Sequence, residues 1–294
     1  MLYPKPYLAV IYVEYDREKY SGAFERLKSY LCKLDQNRIS YIRVNNMDEG
    51  NGMRNLDGNT IYLQGNNIDR EFSGWQKGLS VLSANEVPFD VVLFVNDSFE
   101  VNGTSYLNNH NVGWLILKSY LFKAVFGLIA TRWEKTLVHG KSTRVWLGTH
   151  CFFVPRTIVE KLGTMVSVDE HSFEDYLPKT FPGMGEIFKQ TAPINQATKK
   201  RIISWLTQGW HSKLVLGEAT WPLFRAKAKA ILNEELVSVR IREMGYLILP
   251  YDIPLFVFAK LRGAFRRAIK IVLHKRLAIG DDAFNGQSHN EAMT

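Results

Sequence analysis

Short apolar runs alternate with amphipathic stretches along the first 250 residues, and this alternation limits the possible folds more than any other feature. The apolar runs have the length and β-branched content of strands, whereas the stretches between them repeat apolar residues at helical spacing. Such alternation predicts an α/β domain with a mostly parallel sheet flanked by helices. The predicted strands are 8–13, 39–44, 60–63, 90–95, 125–130 and 149–154, and the predicted helices are 20–34, 72–82, 195–206 and 223–244.

One segment between predicted strands has the composition of a connection. Residues 45–59 are rich in Asn, Gly and Asp, which favour turns and are depleted in strands. The sequence therefore predicts a loop there.

The clearest buried strand is Asp90-Val-Val-Leu-Phe-Val95, and it ends abruptly at Asn96-Asp97-Ser98. Open α/β sheets bind their ligands at the carboxyl ends of the strands. Asp97 therefore stands where a divalent cation that bridges two phosphates needs a hard oxygen ligand. The alternative interpretation is that Asp97 only caps the turn or helix that follows the strand.

A second polar segment runs from Asn67 to Trp75, at the start of a predicted helix. Arg70 is suited to pair with a phosphate there, and the amide and carboxylate groups of Asn67 and Glu71 are suited to bind a base or a ribose. The alternative is that these side chains cap a helix that holds Trp75 in the core.

Together the two segments resemble bacterial polysaccharide glycosyltransferases related to rhamnan-synthesis proteins. Those proteins pair an Asn-x-Gly-Arg/Phe-Asp-x-Gly-x-Trp-like segment, here Asn67-Ile-Asp-Arg-Glu-Phe-Ser-Gly-Trp75, with a strand that ends in Asn-Asp-Ser. The resemblance continues at 127–131, 148–156 and 233–238, so it touches residues from about 8 to 250. Asp69 and Glu71 depart from the family pattern, which usually has Gly and Asp at these positions.

The resemblance implies a GT-A (Rossmann-like) fold and an enzyme, a hexosyltransferase. Such an enzyme moves a sugar from a nucleotide-diphosphate donor to a lipid-linked saccharide in the biosynthesis of O-antigen, as part of lipopolysaccharide, or of capsule. Asn96-Asp97-Ser98 would stand for the Asp-x-Asp motif that holds Mn²⁺ or Mg²⁺ against the diphosphate, with Asp97 as the metal ligand and half of the usual carboxylate charge. The implied donor-binding residues are Tyr12, Asn67, Arg70, Glu71, Asn96 and Ser98.

A transferase that inverts the sugar also needs a base for the acceptor hydroxyl, and carboxylates in a polar cleft do this work. The acidic stretch 169–175 offers Glu174 and Asp175, and Glu234 on a predicted helix is a third candidate, beside Asp97 as the fourth catalytic residue. A solvated acidic loop and an exposed helical Glu are the alternatives. His150 stands beside the apolar run 151–154 and is predicted to be a core residue whose hydrogen bonds are satisfied.

The basic charge of the chain is concentrated in one place. The net charge is +8, and residues 255–276 carry seven Lys or Arg and no acid, which leaves +1 for the rest. An apolar stripe at helical spacing accompanies these charges, so the segment is predicted to lie on an anionic membrane surface. Nothing in the main body supplies a second basic face, which is evidence against nucleic acid as the partner. The predicted division is a catalytic domain at 1–250, a basic amphipathic helix at 251–279 and a disordered tail at 280–294.

Cysteine content and hydropathy indicate the compartment. Two distant cysteines, Cys32 and Cys151, favour a reducing compartment over a disulfide framework. The most apolar stretch, Trp114 to Ala130, is interrupted by Lys118 and Lys123 and is predicted to be a buried helix followed by a strand, not a membrane span. We expect a cytoplasmic protein that is peripheral on the inner face of the cytoplasmic membrane.

Two other functions fit the same fold. A nucleotidyltransferase that acts on a sugar phosphate usually has a Gly-rich basic loop after the first strand, whereas this chain has Val13-Glu-Tyr-Asp-Arg-Glu18. A non-catalytic, membrane-bound scaffold of a polysaccharide synthesis complex would explain the missing second Asp of the motif. Hydrolysis of a nucleotide-sugar separates an enzyme from such a scaffold.

Overall fold

The structure is a computed structural model that describes residues 5–50, 52–102, 107, 110–183, 185–209 and 212–252. An eight-stranded sheet runs through this part of the chain, in the order β3-β4-β2-β1-β5-β7-β6-β8. Its strands are β1 (Leu8–Glu14), β2 (Ile39–Glu49), β3 (Met53–Asp57), β4 (Thr60–Gly65), β5 (Val91–Asn96), β6 (Val125–Val138), β7 (Lys141–Pro155) and β8 (Ile248–Pro250).

The centre of the sheet is parallel. β4, β2, β1 and β5 pair in parallel, as do β6 and β8, whereas β3 and β7 join the sheet through antiparallel pairs. The chain leaves β1 toward β2 and later returns to β5 on the other side of β1. The strand order therefore reverses between β1 and β5, the kind of position where open α/β sheets bind ligands.

Helices cover both faces of the sheet, which confirms the predicted α/β class with a mostly parallel sheet flanked by helices. On one face Phe24 packs against Tyr12 and Tyr41, and on the other Trp75 packs against Phe94 and Phe152. The described helices are α1 (Ala23–Leu31), α2 (Glu71–Ala84), α3 (Phe99–Asn102), α4 (Val112–Phe122), α5 (Arg156–Leu162), α6 (Glu170–Phe173), α7 (Gln196–Thr207) and α8 (Trp221–Glu243).

Two apolar clusters hold these elements in place. The larger one lies between the sheet and α2, α5 and α8, and Trp75 sits in it fully buried, with its indole N–H donating to the carbonyl of Val95 at 3.3 Å. The second cluster joins α6, α7 and the first half of α8. Burial of Trp75 and its bond to β5 fix the start of α2 beside the end of that strand.

The prediction of a loop at 45–59 is wrong. β2 continues to Glu49, and β3 pairs antiparallel with β4 at the edge of the sheet. Every residue of β3 is exposed. Backbone hydrogen bonds hold an exposed edge strand, so its residues need no apolar pattern, and turn-favouring residues are tolerated there.

The C-terminal predictions lie outside the described residues, apart from Tyr251 and Asp252. Both the basic helix at 251–279 and the tail at 280–294 therefore stay predictions. The chain up to Tyr251 forms one compact unit. Among the described helices, none is both long and apolar enough to cross a membrane.

Candidate functional site

Asp97 fixes the loop that follows β1. It comes directly after β5, and its Oδ2 accepts hydrogen bonds from the backbone N–H of Tyr15 at 2.6 Å and of Asp16 at 2.9 Å. Its own N–H donates to the carbonyl of Val13 at 3.0 Å. The side chain therefore does cap a turn, but the turn follows β1 and lies 81 residues away in the sequence.

The second carboxylate oxygen of Asp97, Oδ1, does not take part in holding the loop after β1. Asp97 is 2% exposed, and among the described residues its buried Oδ1 has no hydrogen-bond partner. Burial raises the pKa of this carboxyl, and the nearby charges of Glu14 and Asp16 raise it further, against the lowering effect of the two N–H donors. A buried carboxylate oxygen without a partner costs stability, so a role in binding is the simplest reason for it.

Two further buried polar atoms lie at the same edge of the sheet and have no hydrogen-bond partner among the described residues. Asn46 follows the β1–β2 pair Glu14–Asn45, and its Oδ1 has no hydrogen-bond partner among the described residues. Cys151 pairs with Val95 across β5 and β7, so His150 lies beside the end of β5, and no described residue bonds to its Nε2 either. The prediction that His150 has its hydrogen bonds satisfied is therefore wrong. Burial lowers the pKa of His150 to about 4, which keeps the ring neutral at pH 7.

A cavity of about 240 Å³ opens at the ends of β1 and β2 and reaches Asp97. Glu14 lies in its wall between two guanidinium groups, with Arg17 Nε at 3.0 Å and Arg43 Nη2 at 2.6 Å. Tyr12, a predicted donor-binding residue, also lines the cavity and packs against Phe24. The cavity thus combines charged and aromatic side chains in its wall.

The start of α2 brings two other predicted residues to the same edge. Arg70 immediately precedes α2 with a φ of 52°, and its guanidinium lies 5.3 Å from the centre of the Tyr15 ring. Glu71, the first residue of α2, accepts hydrogen bonds from the hydroxyls of Tyr15 at 3.0 Å and Thr149 at 3.5 Å. The Glu71 carboxylate thus ties the loop after β1 to β7. Burial raises the pKa of Glu71, and the charge of Arg70 opposes this.

The charge of Arg70 acts on a second cation, Lys227. Burial lowers the pKa of Lys227 on α8, and the charges of Arg70 and Lys19 lower it further. Lys227 Nζ donates to Ser212 Oγ at 3.1 Å. Cations close enough to repel one another suit the binding of an anion, which removes the repulsion.

The remaining candidates for donor binding are Asn96 and Ser98, at the end of β5, and Asn67, just before α2. Ser98 donates its hydroxyl to Asn96 Oδ1 at 2.7 Å, so the two side chains beside Asp97 bond to each other. Asn67 is exposed in the turn before α2 and has a φ of 50°. Asn67 is thus open to a ligand, whereas Asn96 is buried and Ser98 half-buried, and the roles of all three stay predictions.

The three predicted base candidates lie on or after two helices, α6 and α8. Glu174 forms an ion pair of 2.7 Å with the exposed Lys179, and Asp175 beside it is exposed. Both belong to the segment after α6, which packs on the second apolar cluster. Glu234 is half-buried on α8, and its charge acts on Arg201 of α7.

Asp97 offers a divalent cation an oxygen ligand at this edge. Among the described residues, no group of three or more His, Cys, Asp or Glu side chains is arranged to hold a metal ion. Asp97 Oδ1 is nevertheless a hard oxygen, and it has no hydrogen-bond partner in the described part of the chain. Mg²⁺ is commonly held by one or two carboxylates together with substrate phosphates and water. The arrangement therefore fits a cation shared with a diphosphate, and does not fit a cage made of protein ligands alone.

Sequence reasoning missed Tyr15, Thr149 and Lys227. Tyr15 could have been found, because it follows the first predicted strand and the edge rule that selected Asp97 applies to it equally. Thr149 gave no such signal, since β7 is antiparallel to β5 and strand direction cannot be read from composition. Lys227 is one of many basic residues on a helix, and only the tertiary structure brings it near Arg70.

Comparison with known proteins adds little to the geometry. No family model matches the chain, and no curated protein matches it. Among solved structures, the chain is similar to the mannosyltransferase PcManGT from Pyrobaculum calidifontis in complex with GDP-Man and Mn²⁺, with 11% identity over 90% of this chain and 81% of that one, at a TM-score of 0.31. It also matches the Euglena gracilis mitochondrial ATP synthase, with 12% identity over 99% of this chain and 75% of that one, at a TM-score of 0.24. TM-scores of this size do not decide between a transferase and an ATP synthase subunit, so the function must be argued from the site.

Proposed function

We propose that this chain is a glycosyltransferase of GT-A type that moves a sugar from a nucleotide-diphosphate donor to a lipid-linked saccharide, in the synthesis of O-antigen or capsule. One observation carries the proposal. At the point where the strand order reverses, Asp97 fixes the loop after β1 with one carboxylate oxygen, and the other is buried with no hydrogen-bond partner in the part of the chain that the structure describes. A ligand that brings a cation and phosphates to this edge would supply the missing partner.

The charges around the edge suggest how the donor lies. The charges of Arg70 and Lys227 repel each other, and an anion would relieve this repulsion, so we place the diphosphate beside them. The cavity lined by Tyr12, Glu14 and Arg43 offers an aromatic ring, a carboxylate and a guanidinium to the nucleoside. Asn96 and Ser98 stay candidates for hydrogen bonds to the sugar.

A divalent cation, Mn²⁺ or Mg²⁺, supplies charge neutralisation of the leaving diphosphate when it is bound. Asp97 Oδ1 is the atom that this chain offers to hold it. The two backbone donors on Oδ2 keep the carboxylate oriented, so Oδ1 meets the ligand without first having to be ordered.

Glu71 joins Glu174, Asp175 and Glu234 as a candidate base for the acceptor hydroxyl. It is a half-buried carboxylate at the sheet edge, its pKa is raised by burial, and hydroxyl groups orient both of its oxygens. A base works best when its pKa approaches the working pH, which favours Glu71 over carboxylates on the surface. Its position beside the predicted donor-binding residues adds to the case.

Replacing Arg70 by Ala should weaken binding of a nucleoside diphosphate by about tenfold or more, because a charge-assisted contact to phosphate is lost. Asn67→Ala should have a smaller effect in the same direction. Both residues are at least partly exposed, so the melting temperature should change little. Titration calorimetry with UDP and GDP in the presence of Mg²⁺ measures the affinity. Unchanged affinity together with a lowered melting temperature would make these residues helix caps instead.

The proposed acceptor is anchored in a membrane, and the basic segment 255–276 is the proposed means of reaching it. We place the protein on the inner face of the cytoplasmic membrane, held by anionic lipid. Each Lys or Arg near an anionic surface contributes about 1 kcal/mol, and apolar burial adds a part that salt does not weaken.

Truncation after Asp252 should give a protein that still binds nucleoside diphosphate but no longer sediments with anionic liposomes. Tyr251 stays in this variant, and it is buried, with its hydroxyl donating to the carbonyl of Cys151. Reversing the charge of Arg266 and Arg267 to Glu in the full chain is the matched control, and it should weaken liposome binding without shortening the protein. If the full chain ignores anionic liposomes even at low salt, the membrane proposal is wrong.

The alternatives make different predictions at the same site. A scaffold needs no buried, unpartnered carboxylate oxygen, so its Asp97 would be interchangeable with Asn. A nucleotidyltransferase would release diphosphate from a nucleoside triphosphate and a sugar phosphate, and the acidic loop after β1 is poorly suited to a triphosphate.

A further inference from the structure

Lys229 is a lysine buried almost completely beside the start of α2. It is 2% exposed, and its Nζ lies 2.7 Å from Asp69 Oδ1 and 2.7 Å from Glu170 Oε2. Asp69 is itself buried, whereas Glu170 is half-exposed at the start of α6. A charge this deep is stable only when it is paired, so Asp69 depends on Lys229, and Lys229 depends on Asp69 and Glu170.

A second cation completes the group. Arg225, one helical turn before Lys229 on α8, lies 2.7 Å from Glu170 Oε1 and donates to the carbonyls of Leu177 and Pro178 at 2.9 and 2.6 Å. Two cations and two carboxylates thus form a neutral group that joins the start of α2, α6 and α8. The Asp69–Lys229 pair is the part of it that touches α2.

The backbone next to Asp69 is strained. Arg70 has a φ of 52° and a ψ of −132°, a conformation that residues with a side chain rarely adopt. Asn46 Nδ2 donates to the Arg70 carbonyl at 2.9 Å and holds this peptide from the side of β2. Lys229 holds the preceding residue from the side of α8. Such a conformation persists only where the surroundings fix it, and it is found most often at functional sites.

We propose that Lys229 is a positioning residue, which clamps Asp69 so that the strained Arg70–Glu71 turn presents both side chains to the donor. The inference rests on the proposed function, in which Arg70 binds the diphosphate. Asn46 on β2 and Lys229 on α8 both hold this turn, and loss of either would let the Arg70 backbone relax toward an ordinary conformation. Arg70 and Glu71 would then move away from the ligand.

The test is Lys229→Met in the full chain, with UDP and GDP in Mg²⁺ as probes. We expect a loss of nucleotide affinity of about tenfold at a temperature well below the melting transition, since the charge-assisted contact of Arg70 to phosphate would be weakened. Glu235→Gln is the matched control, because Glu235 forms a buried ion pair with Arg201 on the same helix α8. It should lower the melting temperature and leave nucleotide affinity unchanged.

The double variant Asp69→Asn, Lys229→Met separates positioning from stability. It removes both buried charges, so the melting temperature should recover toward that of the parent, whereas nucleotide affinity should stay low. Recovery of both, or parental affinity in Lys229→Met, would overturn the positioning role. Arg70→Ala distinguishes a failure of the proposed function from a failure of the positioning role. If it leaves nucleotide affinity unchanged, the proposed function fails at Arg70. If it weakens nucleotide binding while Lys229→Met does not, only the positioning role of Lys229 fails.

Discussion

Asp97→Asn is expected to lower sugar transfer by about 10²- to 10³-fold, the usual cost of removing one group that stabilises charge in the transition state. The fold should not suffer. The amide oxygen of Asn can accept the same two hydrogen bonds from Tyr15 and Asp16 that Oδ2 accepts now. The substitution also removes a carboxylate whose charged form is disfavoured by burial, so the melting temperature should equal or exceed that of the parent.

Asp97→Ala is the matched comparison for this result. It removes the acceptor as well as the charge, so the loop after β1 loses its anchor and the melting temperature should fall. If Asp97 only caps the loop, the Asp97→Asn variant should retain full activity and the Asp97→Ala variant should not. If Asn is inactive but a chelator leaves the parent fully active, Asp97 is needed and the cation is not.

Glu71→Gln is expected to lower transfer by about 10²- to 10⁴-fold, the range over which a positioned general base contributes. Gln keeps the shape of the side chain and can still accept the hydroxyl of Tyr15, so the tie between the β1 loop and β7 is largely kept. The loss would therefore report the missing charge. Rates of nucleotide release at saturating donor, compared with the same substitution at Glu174, decide which carboxylate is the base. Parental activity in Glu71→Gln excludes Glu71.

The difference in stability between Glu71→Gln and the parent should depend on pH. Burial raises the pKa of Glu71 in the folded state above its ordinary value of 4.5, so the charged form costs stability at neutral pH and the protonated form does not. Glu71→Gln should therefore be more stable than the parent at pH 7. This difference should shrink as the pH falls through the raised pKa, and it should vanish below the ordinary value. Urea unfolding of both proteins at pH 7 and pH 4 measures it, and an advantage that is independent of pH would contradict the assignment.

The local sequence pattern was sufficient to predict elements that depend mainly on their own side chains. The run 90–95 has the composition of a buried strand, so the position of Asp97 at the carboxyl edge followed from the sequence. The helix at 71–84 followed in the same way from the spacing of its apolar residues. Each of these elements is determined by its own side chains and by the common direction of parallel strands.

Contacts between residues that are far apart in the sequence could not be predicted from local patterns. Sequence comparison treated Asp69 as a departure from the family's Gly, whereas the structure shows it paired with Lys229, 160 residues later in the chain. β3 was missed because an edge strand needs backbone partners and no apolar side chains. The candidate bases Glu174 and Asp175 were chosen for local acidity, and packing on the second cluster decides where such a segment lies.

Release of nucleoside diphosphate from a panel of UDP-, GDP- and dTDP-sugars tests the central claim most directly. The full chain is incubated with each donor, Mn²⁺ and bacterial lipid extract, and Asp97→Asn is run beside it. Our account predicts release from at least one donor by the parent, and a rate lower by about 100-fold or more in the variant. No release from any donor, or equal release by the two proteins, would contradict it.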